Sequence, residues 1–154
     1  MKKLLYSLLA VLAIGCTFVS CGDDDDENYN YPTTAEIASA GTYAGTWTRE
    51  KDGVIEEFDG TVTLEATDRV GVTNITFTCP NASLNATSVS NIWNANDGFK
   101  FQQNISTGNP DNGLGVAFAG NIYGNGTLTA SFTLSQRSGR ISVTYVYKFV
   151  GTKQ

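Results

Sequence analysis

The sequence predicts an all-β domain whose strands run antiparallel and in succession, as an up-and-down barrel or a β-sandwich. Three observations carry this reading. From residue 41 onward apolar residues recur at every second position, the period of a strand with one buried face. Asp-Gly, Asn-Gly and related pairs interrupt these runs at short intervals and supply the positive φ angles that tight hairpins need. No stretch of this region carries an apolar stripe of helical spacing; Thr and Gly are abundant, while blocks of Ala, Leu and Glu are missing.

The predicted strand cores follow in chain order. The first, 42–49, contains Tyr43, Gly45, Thr46 and Trp47 and ends at the turn Lys51-Asp52-Gly53. A second, 54–58, is separated from a third, 61–66, by Asp59-Gly60, which reads as a turn or as a bulge or bend within one longer strand pair. In the third, Val62, Leu64 and Ala66 alternate with Thr61, Thr63 and Glu65. The fourth, 70–79, places Thr73, Ile75, Phe77 and Cys79 on one face, and the fifth, 82–93, ends at Trp93 before Asn96-Asp97-Gly98. Cores 98–105 and 114–123 are separated by the turn Asp111-Asn112-Gly113, and Gly124-Asn125-Gly126 leads into the last segment. That segment, 127–150, is a hairpin about Ser138-Gly139, with Leu128, Ala130, Phe132 and Leu134 on one arm. Ile141, Val143, Tyr145, Tyr147 and Phe149 make the longest apolar face, on the other arm, opposed by Ser142, Thr144, Val146 and Lys148. The count is about eight strands, nine if the final hairpin is divided, with no crossover.

Composition narrows the function classes. The chain has 154 residues, 16% charged, a formal charge of −5 and no histidine. Without histidine, Ser-His-Asp and Cys-His catalysis are excluded and zinc lacks its commonest nitrogen ligand. A net negative chain lacks the basic footprint of a nucleic-acid binder, so no nucleic-acid partner is expected. Glu56 and Glu57 are adjacent on a strand and point to opposite faces, which denies them the shared cleft of a glycosidase pair. The Asn-rich turns lack the acidic spacing of a calcium loop. The expectation is a non-catalytic domain with neither cofactor nor metal.

The N-terminus reads as an address. Lys2 and Lys3 precede an uncharged, mostly apolar run from Leu4 to Ser20, and Cys21 is followed at once by Gly22-Asp23-Asp24-Asp25-Asp26-Glu27. The layout is that of a secretory signal. An apolar run, a small residue and then cysteine resembles the lipobox of bacterial lipoproteins, with Cys21 as the lipidated residue and Gly15-Cys16 as a rival site. The acidic run resembles the surface-export signal of Bacteroidetes lipoproteins; the alternative is a plain solvated spacer on the periplasmic face. The resemblance implies palmitate at Cys21 and attachment to the outer membrane, exposed at the cell surface. The expected organisation is a signal peptide over 1–20, a lipidated cysteine and acidic tether over 21–40, and one β-domain over 41–154. Cys79 then has no disulfide partner in the mature chain and reads as a small buried hydrophobe.

Gly45-Thr46-Trp47 on the first strand of an eight-stranded meander is similar to the opening signature of lipocalins and the wider calycin group. Tyr43-x-Gly45-Thr46, then Gly126-x-Leu128-x-Ala130 and the alternating Tyr145, Tyr147 and Phe149, resemble calycin-like domains of Bacteroidetes lipoproteins. The resemblance implies an up-and-down barrel with Trp47 as a plug at the barrel end, beneath a basic residue from near the chain end. Arg140 and Lys148 are the candidates for that residue. An eight-stranded barrel either fills with its own side chains or encloses one small ligand. Phe99, Phe101, Phe118, Phe132, Tyr145 and Tyr147 are the candidate ligand-binding walls, or simply core. Trp93, set among Asn91, Asn94 and Asn96, is a candidate hydrophobic plug over the barrel mouth or a stacking platform for a sugar ring. Two functions remain open: a small apolar or amphipathic ligand held in the barrel, or a filled barrel acting as an interaction or glycan-capture accessory module whose protein partners are unspecified.

Overall fold

A computed structural model describes residues 33–104, 113–138 and 140–154. It shows eight antiparallel strands closed into a barrel in chain order, each paired with the next and the last with the first. The strands are β1 Gly41–Lys51, β2 Val54–Ala66, β3 Val72–Cys79, β4 Leu84–Ala95, β5 Gly98–Gln103, β6 Phe118–Tyr123, β7 Thr127–Ser138 and β8 Ile141–Lys153. Closure decides between the two predicted architectures in favour of the up-and-down barrel and is consistent with a calycin-like fold. It also leaves no sheet edge running the length of the domain.

The hairpin turns follow the predicted chemistry. Lys51 pairs with Val54 across Asp52 and Gly53, which have φ of 51° and 80°, the pattern of a two-residue primed turn. Ala95 pairs with Gly98 and Ser138 with Ile141, so these hairpins are equally tight. The predicted Asp111-Asn112-Gly113 turn lies largely outside the described residues.

Asp59-Gly60 departs from a turn reading. Both residues lie inside the single strand β2, where Asp59 pairs with Thr46 and Gly60 with Gly45. Gly60 does not have a positive φ. Its place is set by space: a Cβ there would stand 2.6 Å from Cδ1 of Trp47. The two predicted cores 54–58 and 61–66 are therefore one strand, and eight is the strand count.

A further difference lies at the start of the domain. Residues up to 40 show no period in the sequence, yet Ala35–Ser39 forms one helical turn, α1, with Ala35, Glu36 and Ser39 buried. Five residues are too few for a periodic pattern to stand out, and a buried glutamate runs against hydropathy. The turn is held by tertiary bonds. The Gly71 amide donates to Glu36 Oε2 at 2.9 Å, the Tyr43 hydroxyl to the Ser39 carbonyl at 2.8 Å, and the Lys153 ammonium to the Ala38 carbonyl at 3.3 Å. These contacts seat α1 at the barrel end where β1 begins and β8 finishes.

The wall separates two environments. Inward positions carry Tyr43, Trp47, Val62, Leu64, Ile75, Phe77, Phe101, Phe118, Leu128, Phe132, Tyr147 and Phe149, all buried. Outward positions carry hydroxyls that meet across strands, such as Thr42 with Thr63, Thr76 with Thr87 and Ser135 with Thr144. An apolar interior and a hydroxyl-bearing exterior are the reverse of a membrane-spanning barrel.

Candidate functional site

The six residues predicted as pocket walls all stand at inward positions of their strands and pack on one core, but to different depths. Phe101, Phe118, Phe132 and Tyr147 are buried, and their rings pack on one another. Phe132 stacks on Tyr147 with centroids 5.0 Å apart, and Phe118 meets Phe77 edge-on at 5.0 Å. Phe101 lies 6.4 Å from Phe118. Phe99 and Tyr145 are only partly buried and belong to opposite ends of the barrel, near the starts of β5 and β8 respectively.

Trp47 organises this interior. It is completely buried, and its ring lies 5.0 Å from Phe149, 5.6 Å from Phe132, 6.0 Å from Phe77 and 6.4 Å from Tyr147. Its indole N–H donates to the Thr78 carbonyl at 3.2 Å, which satisfies the one polar atom the ring brings inside. Trp47 thus sits within the aromatic stack, four residues along β1 from Tyr43, and α1 with Tyr43 covers the nearby end. Neither Arg140 nor Lys148 takes the basic position expected above it. Arg140 is exposed in the β7–β8 turn, and Lys148, paired with Thr48, faces outward. The basic residue from the chain end that meets an aromatic of β1 is Lys153, whose ammonium lies 6.0 Å from the Tyr43 ring.

The opposite end carries a polar closure. The Arg49 guanidinium is 5.1 Å from the Phe58 ring and 5.2 Å from the Tyr145 ring, a cation held between two aromatic faces. It donates through Nε and Nη2 to Glu56 Oε2 at 2.9 and 2.6 Å, and that carboxylate raises the Arg49 pKa further. Glu56 and Glu57 do point to opposite faces. Cys79 is buried and free, and desolvation pushes its thiol above the ordinary value, the reverse of an activated nucleophile. Among the described residues no group of three or more His, Cys, Asp or Glu side chains could hold a metal ion.

Recesses among the described residues open on the outside of the wall. Trp93 is 42% exposed and pairs with Lys100 on β5, so it stands on the outer wall rather than over a mouth. Two grooves meet at Trp93, Lys100 and Asn121. One, of about 370 Å³, runs around the β4–β5 turn past Asn94, Asn96, Asp97 and Tyr123. The other, of about 440 Å³, crosses β5 to β8 and includes Gln102, Ala119, Thr129, Ser131, Lys148 and Val150. A shallower depression of about 630 Å³ over β1 and β2 offers Thr46, Asp59, Thr61 and Thr78 but no aromatic ring. Sequence reasoning singled out Trp93 but not Lys100 or Asn121, and it made Lys148 a candidate for the barrel end above Trp47 rather than for this wall. Lys100, Asn121 and Lys148 come from three other strands, and only closure into a barrel sets them beside Trp93.

In comparisons with protein-family models, curated proteins and solved structures, nothing matches this chain.

Proposed function

We propose that this protein is a lipid-anchored, non-catalytic binding module of the bacterial cell envelope, a calycin-like barrel that engages its ligand on the outer wall around Trp93. The observation that carries this reading is the contrast between the two faces of one wall. The inner face is occupied by mutually packed rings, whereas the outer face presents an exposed tryptophan where two grooves meet. Trp93 shares these grooves with the exposed Tyr123 and Val150, and clustered exposed apolar side chains with an aromatic anchor are what binding surfaces use. The anchor is assigned to Cys21, behind the apolar run and ahead of the acidic segment, with the domain held at the outer-membrane surface.

The test is photo-crosslinking in living cells. A benzophenone amino acid at Tyr123, which lines the first groove, is expected to form adducts, whereas one at exposed Ile55 on β2 forms none. Solvent extraction of the purified full chain provides the opposing arm. A stoichiometric non-covalent lipid in the extract, with no adducts from position 123, would return the function to the barrel interior.

A further inference from the structure

The chemistry of the wall groove specifies a class of ligand. In register, Trp93 of β4 lies beside Lys100 of β5, Lys100 beside Asn121 of β6, Asn121 beside Thr129 of β7 and Thr129 beside Val150 of β8. The adjacent row contains Gln102, Ala119, Ser131 and Lys148. Strands are spaced about 4.8 Å apart, so the path from Trp93 to Val150 spans roughly 19 Å across four intervals. That length suits an extended chain of several sugar rings rather than one compact molecule.

Two features separate this groove from an ordinary polar wall. Residues 41–154 hold nine acids and eight bases, yet the groove is lined by two lysines, Lys100 and Lys148, and by no acid. Its floor is also low, because Ala119, which faces outward from β6 beside Gln102 and Ser131, carries only a methyl group. A pyranose presents one apolar C–H face, which stacks on an indole, and an edge of hydroxyls, which amides and hydroxyls bind. Lysine ammoniums at two points along the path add a preference for negative charge.

Resting on the outer-wall reading, we infer that the groove from Trp93 to Lys148 binds an acidic polysaccharide, a strand bearing uronate carboxylates or sulfate esters. Trp93 stacks on a sugar face, Lys100 and Lys148 meet the anionic groups, and Asn121, Thr129 and Ser131 bind hydroxyls between them.

The experiment is a titration of the full chain with polygalacturonate, a sulfated galactan and the neutral glucan laminarin, read by tryptophan fluorescence. Trp47 is completely buried and Trp93 exposed, so a change in emission reports Trp93. The expected result is binding of one or both acidic polymers, weakened about tenfold by Trp93→Ala and by Lys100→Ala with Lys148→Ala. Added salt weakens it as well. A separate affinity measurement by calorimetry covers the Trp93→Ala chain, and circular dichroism checks that each variant is folded. Laminarin binding as tightly as the acidic polymers, with the lysine variants unaffected, would overturn the assignment. Binding of none of the three polymers would overturn it too. If position 123 still forms adducts in cells, the outer-wall reading survives that failure; if it does not, both fall.

Discussion

A Cβ on Gly60 would stand 2.6 Å from Cδ1 of Trp47, so the glycine of β2 and the tryptophan of β1 occupy one space. The relationship recurs. A Cβ on Gly151 would meet the Phe149 ring, and one on Gly120 the Phe101 ring. Gly60, Gly45 and Gly151 are consecutive register partners across β2, β1 and β8. The barrel accommodates large rings by removing side chains from the wall beneath them, which keeps the interior at the density of a packed core.

Gly60→Ala is therefore expected to cost about 1–3 kcal/mol through overpacking, since the methyl would meet both Trp47 and the Thr78 carbonyl. Gly53→Ala meets nothing within 4 Å but sits at a φ of 80°, and its cost is about 1–2 kcal/mol from backbone strain alone. Urea midpoints of the two variants measure the difference. An unaltered midpoint for Gly60→Ala would remove the steric account.

Trp47→Ala is expected to cost about 3–5 kcal/mol, the range for large aromatic truncations in cores. That is a large share of the 5–15 kcal/mol typical of a whole domain. Trp47→Phe keeps a ring against Phe149 and Phe132 but leaves the Thr78 carbonyl without its indole donor. Its cost is about 1–3 kcal/mol. Near-ultraviolet circular dichroism and denaturation of both variants check the order.

Acid should loosen the α1 end first. The neighbouring Thr34 hydroxyl, helped by the Gly71 amide, holds the Glu36 carboxyl below its ordinary value of 4.5 against the opposing effect of desolvation. A lowered folded pKa means that the unfolded chain binds the proton first. The stabilisation is therefore present above pH 4.5 and lost as pH falls through the lower folded value. Glu36→Gln should flatten this part of the stability–pH curve below pH 5, measured by urea unfolding at a series of pH values.

Cys79 should be silent to thiol reagents in the folded chain. Burial raises its pKa, so little thiolate exists at neutral pH, and the sulfur is completely covered. Modification by iodoacetamide is expected to follow the unfolding transition, with the same urea midpoint as circular dichroism. Rapid labelling without denaturant would contradict the burial.

Cys21→Ala is expected to abolish incorporation of radiolabelled palmitate and release the chain from membranes, while Cys16→Ala leaves both unchanged. Labelling that survives Cys21→Ala but not Cys16→Ala would move the anchor to the rival cysteine.

Much of the fold was legible because period two and turn chemistry are local properties. Asp52-Gly53 identifies its hairpin through φ angles that Asp and Gly tolerate. The same dipeptide type at Asp59-Gly60 misleads, because a glycine placed for clearance under Trp47 is written the same way as one placed for a turn. Helix α1 was hidden for a related reason: Glu36 and Ser39 are buried by partners in the β2–β3 loop and at the start of β1, not by a pattern of their own.

The alternation of residues by itself determined that this chain forms antiparallel strands, which face of each is apolar, and where most hairpins turn, since each depends on side-chain direction within a few residues. Only the tertiary structure decided that the sheet closes, that Trp47, Phe132 and Tyr147 meet inside it, and that Trp93, Lys100, Asn121 and Lys148 form one outer surface. Those relations join strands up to seven positions apart in chain order and depend on closure and on the register of the ladders. No local preference carries that information.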